Sequence, residues 1–160
     1  MKLLSVFLLA IGTVKLSAQT DSRIFYSQLQ VVFSDLDKNF EFLKGELKER
    51  DGIDTLFESN TTLEGTKDNS ILASPDIYAY QALITDSTSF EGSQFVLKAW
   101  KQKLTTALTG TFSEVEKEFH SEKDKNIDGY RYSSEKIEVL ILRHTSGDGS
   151  YWINLVIKAR

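Results

Sequence analysis

The chain has 160 residues, 19 basic and 23 acidic, with 41% hydrophobic and 11% aromatic content, one proline and no cysteine. That composition suits one globular domain with its own core; it excludes a disordered or Pro-rich segment, a disulfide scaffold, a thiol nucleophile, a thiolate metal site and a lipid-modified cysteine. The acid excess argues against nucleic acid, and against electrostatic docking on anionic lipid, because both need clustered Lys and Arg.

Met1 and Lys2 make a short basic start, and an apolar run follows from Leu3 to Val14. Ser17 and Ala18 are small, and Gln19, Thr20 and Asp21 are polar. This order predicts a secretory signal peptide over residues 1–18 and a single α+β domain over 19–160. The run is shorter than the roughly 20 apolar residues of a permanent anchor. The mature chain is therefore expected to have no integral membrane segment and to be exported, to a periplasm or outside the cell. Leu16, three residues before the cut, departs from the small residue preferred there. Lys2 and Lys15 leave with the signal, so 17 basic side chains remain against 23 acidic ones, a net charge of −6.

The mature domain opens on a helix expected over Ser22 to Lys44. Phe25, Leu29, Val32, Leu36, Phe40, Leu43 and Leu47 recur at spacings of three and four, which keeps them on one helical face. Asp21 or Ser22 is placed to cap its start and Gly45 to end it. Phe33 and Phe42 lie off the stripe, so cover on more than one side is expected. Asp54 to Thr62 and Ile77 to Thr85 read as strands, the second opened by Pro75. Glu64-Gly65 and Lys67 to Ser70 are turn chemistry.

A second helix is expected over Ser93 to Thr109, with Val96, Trp100, Leu104 and Ala107 or Leu108 inward and Gly110 at its end. Ser113 to His120 reads as a short helix with Val115 and Phe119 inward, and Ser121 to Lys125 as a loop. The C-terminus reads as a β-hairpin. Ile137, Val139 and Ile141 alternate along Lys136 to His144, and Tyr151, Ile153, Leu155 and Ile157 along Tyr151 to Lys158. Gly147 and Gly149 serve the connecting turn. The opposite face of the hairpin carries Leu140, Leu142, Trp152 and Val156.

These elements give an α+β fold in the order α-β-β-α-β-β. An antiparallel sheet of four or more strands carries both amphipathic helices on one face. Residues 22–88 and 92–160 match in length and element order, without residue-level identity. In element order the chain resembles the helix-plus-hairpin repeats of β-lactamase-inhibitor-like and related small envelope proteins of bacteria. The resemblance implies a protein-binding or inhibitory scaffold whose open sheet face is the working surface.

The sharpest local match to a chemical motif runs from Asp124 to Glu135. Asp124, Asn126 and Asp128 stand at oxygen-ligand positions of a twelve-residue calcium loop, with Gly129 at its turn, Tyr130 for a backbone carbonyl and Glu135 as the bidentate carboxylate. Arg131 replaces the usual apolar residue, no second loop exists, and the residues after Glu135 alternate like a strand. An Asp/Asn/Gly turn is the plainer reading, and no cofactor is expected. His120 and His144 lack metal-ligand spacing, and no serine sits in a nucleophile elbow. A Ser-His-Asp site assembled from distant residues stays open as a hydrolase alternative. Asn60-Thr61-Thr62 has the form of a glycosylation sequon. Leu140, Leu142, Trp152 and Val156 form the candidate binding patch, since two helices can cover only one sheet face and the other then needs a partner. Phe112, Val115 and Phe119 could instead fold over that patch. The expected function is a non-catalytic, protein-binding or self-associating module, with a calcium-binding envelope protein as the alternative.

Overall fold

A computed structural model describes residues 23–110, 112, 114–120 and 126–160. In chain order the elements are α1 (residues 23–35), a single 3₁₀ turn (Leu36–Lys38), β1 (Lys44–Asp51), β2 (Asp54–Ser59), β3 (Asn69–Ser74), β4 (Ile77–Thr88), α2 (Phe90–Leu108), β5 (Glu114–His120), β6 (Ile127–Ser133), β7 (Ile137–Thr145) and β8 (Tyr151–Ala159). The strands form one antiparallel sheet in the order β1-β2-β3-β4-β8-β7-β6-β5. Each helix is thus followed by a four-stranded meander. The two meanders join at β4 and β8, where Tyr80 lies opposite Ile157 and Ala82 opposite Leu155.

Both helices cover one face of this sheet. Their buried side chains, Phe25, Leu29 and Val32 from α1 and Leu97, Trp100, Leu104 and Leu108 from α2, form one core with Ile71, Tyr80, Ala82, Val139, Ile141, Ile153, Leu155 and Ile157. Phe25 meets Trp100 edge-on at 5.5 Å, which ties the helices to each other. The Tyr132 hydroxyl donates to the Lys101 carbonyl at 3.1 Å and so ties β6 to α2. Ser89 caps α2, its Oγ accepting from the Gly92 amide at 3.1 Å.

The α+β class, the antiparallel sheet and the one-sided helices agree with the sequence reading, but the order α-β-β-α-β-β does not. Four strands follow each helix, because four segments were read otherwise. β1 (KGELKERD) carries charges along its length and no alternation, as befits an edge strand. β3 begins at Asn69 and Ser70, whose residue types predict a turn. Asn69 is buried, and its Oδ1 accepts from the Tyr80 hydroxyl at 2.5 Å. β5 replaces the expected short helix; Val115 and Phe119 are four apart, a spacing that fits either period. β6 runs through the residues read as a calcium loop.

The first helix also ends early. Phe25, Leu29, Val32, Leu36, Phe40 and Leu43 are all buried, but only the first three lie in α1. Asn39 and Phe40 adopt left-handed backbone, with φ of 54° and 58°. The Asp35 carboxylate accepts the amides of Phe42 and Leu43 at 2.9 and 3.1 Å. The chain therefore leaves the helix well before Gly45 while its apolar side chains still point inward. Leu47, on β1, is exposed, and so is Phe42. Among the described residues no helix is long and apolar enough to cross a membrane.

Candidate functional site

Among the described residues no helix lies over the opposite face of the sheet. Side chains directly opposite in an antiparallel pair share a face, so the register assigns its members. Leu140 lies opposite Val156, Leu142 opposite Asn154 and His144 opposite Trp152. Gln81 lies opposite Val156 and Leu83 opposite Asn154. Ser70 lies opposite Gln81, Leu72 opposite Ala79 and Leu56 opposite Leu72. The four predicted patch residues, Leu140, Leu142, Trp152 and Val156, are brought together. Leu83, Leu72 and Leu56 lie on the same face of the first meander, with the polar Gln81–Ser70 pair between Leu83 and the other two. Leu140 is the most deeply buried of them, set between Arg131 on β6 and Val156 on β8. Phe112 does not cover this patch, because it packs on Phe33 of α1 at 5.8 Å, on the helix side. The side chains of Val115 and Phe119 lie outside the described residues.

Polar groups frame the apolar strip. At one end Glu138 accepts ion pairs from Arg131 and Lys158, each at 3.0 Å. At the other end His144 stacks flat on Trp152, with centroids 3.6 Å apart and planes 3° from parallel. The His144 Nε2 lies 3.0 Å from Asn154 Oδ1, which fixes the imidazole in the plane that the stack needs. Beside Trp152 the surface sinks into a shallow hollow of about 210 Å³. Its polar lining comes from Lys48, Asp68, Ser70, Gln81 and Asn154, and Lys48 is ion-paired with Asp68. A roomier hollow, about 630 Å³, lies between α1 and α2. There Lys103 is engaged, its Nζ donating to the Glu64 carbonyl at 2.6 Å while lying over the Phe25 and Trp100 rings.

The calcium candidates are not gathered in this way. Asp124 lies outside the described residues, as does the expected loop over residues 121–125. Asn126 precedes β6, Asp128 and Tyr130 lie along it, and Glu135 lies beyond its end. Seven extended residues span roughly 20 Å at about 3.3 Å each, whereas a calcium loop wraps its ligands round one ion. The Asp128 carboxylate is held by Arg143, whose Nε and Nη2 donate to its two oxygens at 2.9 and 2.5 Å. That bidentate pair holds the Arg143 guanidinium pKa above its ordinary value, against partial burial. Gly129 has a reason of its own to be glycine. A Cβ there would lie 1.9 Å from the Ile141 carbonyl oxygen across the β6–β7 ladder. Asn60 of the sequon donates its side-chain amide to the Lys44 carbonyl at 3.0 Å, tying β1 to the end of β2.

His144, Asn154, Gln81 and the Lys48–Asp68 pair were not identified from sequence as neighbours of the patch. The first two were within reach, since the hairpin loop sets the β7–β8 register. The others depend on the pairing of β4 with β8, which no local signal announces. No protein-family model, no curated protein and no solved structure matches the chain.

Proposed function

We propose that the protein is an exported, non-catalytic binding module that recognises a protein surface, or a second copy of itself, through the helix-free face of its sheet. One observation carries this reading: Leu140, Leu142, Trp152 and Val156 share that face of the C-terminal hairpin, and Leu83, Leu72 and Leu56 add apolar side chains to the same face on β4, β3 and β2. Strips of this kind, with an aromatic anchor and charged ends, are the pattern of interface centres with polar rims. Arg131, Glu138 and Lys158 supply the rim at one end.

Trp152→Glu and Leu142→Glu test the proposal, with light scattering for self-association and cross-linking for partner capture. The expected result is a folded domain that loses its association or its partner. Global unfolding of both variants would show that the strip is core and overturn the reading.

A further inference from the structure

The hollow beside Trp152 has a chemistry of its own, distinct from that of the apolar strip. Its wall is an indole ring already stacked on its other side by His144 at 3.6 Å, so the ring is a fixed platform rather than a loose side chain. Around it stand polar groups that the protein leaves unspent. The Gln81 amide and the Ser70 hydroxyl make no hydrogen bond to another described residue, and Asn154 commits its Oδ1 to His144, leaving its amide nitrogen free to donate. The Lys48–Asp68 ion pair closes the far side. Half-buried polar groups of this kind need a partner, from water or from a ligand.

We propose that this hollow binds a single pyranose ring of a saccharide. A pyranose presents an apolar face of C–H groups that fits flat on an indole. Its edge carries hydroxyls that both donate and accept, as the amides of Gln81 and Asn154 and the hydroxyl of Ser70 require. At about 210 Å³ the site falls below the roughly 300 Å³ at which pockets for drug-sized ligands begin. That is room for one ring and too little for a nucleotide cofactor. A phosphate or carboxylate ligand is disfavoured because Lys48 is already neutralised by Asp68. The proposal rests on the same open face as the protein-binding reading and shares Trp152, Leu83 and Leu56 with it; Leu142 does not line the hollow.

Saturation-transfer NMR on the mature chain, with the methyl glycosides of glucose, galactose and N-acetylglucosamine as probes, tests it. At least one glycoside is expected to bind saturably, with a dissociation constant of about 1 mM, as suits so small a ligand. It is also expected to shift the indole N–H signal of Trp152 and not that of buried Trp100. Gln81→Ala should weaken binding about tenfold and Trp152→Ala should abolish it, while Trp152→Phe keeps the fold and part of the affinity. Leu142→Glu should leave sugar binding intact while it blocks protein association, so the two readings fail separately. Saturation by none of the three probes, or unchanged binding in Gln81→Ala, would overturn the saccharide site; if Trp152→Ala does not fold, the indole shift and Gln81→Ala decide.

Discussion

At the scale of single residues, Asp35 does more for this fold than its charge suggests. It is buried, one carboxylate oxygen takes the Phe42 and Leu43 amides, and the other has no hydrogen-bond partner among the described residues. Asp35→Ala leaves two amides without an acceptor and should cost about 2–4 kcal/mol, read from urea unfolding. Asp35→Asn keeps one accepting oxygen and should cost less. Gly129 is the second such position. With the Ile141 carbonyl 1.9 Å from any added Cβ, Gly129→Ala must part β6 from β7 and should cost about 3 kcal/mol or more by the same measurement. Asp148 carries a pH effect. The hydroxyl and amide of Ser150 donate to its carboxylate and hold its pKa below the ordinary value. A lowered folded-state value means that this turn contributes to stability above the ordinary aspartate range and loses that contribution as pH falls through the lowered value. A carbon NMR titration of Asp148 should show its midpoint below that of an exposed aspartate, and Ser150→Ala should bring the midpoint back up.

At the scale of elements, α2 carries the packing. Leu104 is fully buried in the core shared by the helices and the sheet, so Leu104→Ala should cost about 2–5 kcal/mol in thermal or urea unfolding. The elements legible in the sequence are those whose signal is local. The β7–β8 hairpin announces itself by alternation and a glycine turn, and with it came both faces and all four patch residues. α1 was legible as a buried stripe but not as a helix of the right length, because a spacing of three and four records burial. Phe40 and Leu43 satisfy that spacing from left-handed and turn backbone. β1 and β3 were missed for a different reason. Their stability comes from neighbours, the ladder to β2 and the Tyr80–Asn69 bond, and their own side chains resemble those of loops. β6 was hidden by a coincidence of Asp, Asn and Gly spacing. The hollow by Trp152 was illegible because it draws on β3, β4 and β8, whose contact joins residues some seventy positions apart.

At the scale of the whole molecule, the strand order is a palindrome about the β4–β8 seam. Each half offers a helix and a meander, yet neither owns a complete core. Ile153, Leu155 and Ile157 pack with Tyr80 and Ala82 from the other half, and Trp100 packs on Phe25. A fragment spanning residues 89–160 should therefore lack dispersed amide signals and a cooperative melt. Adding the fragment of residues 19–88 should restore both; a folded isolated fragment would show that each meander stands alone.

The same seam sets an order in time. β8 follows the other seven described strands in chain order, and it belongs in the middle of the sheet, between β4 and β7. A sheet that grew outward from its first strand could finish folding as it emerged. This one has its central position empty until the final strand arrives. The first half can form its local hairpins early, but β4 keeps an unpaired edge and the core one wall short. The two meanders therefore become one sheet only when β8 has paired with both β4 and β7, so closure of the core is expected to follow that pairing and not to precede it.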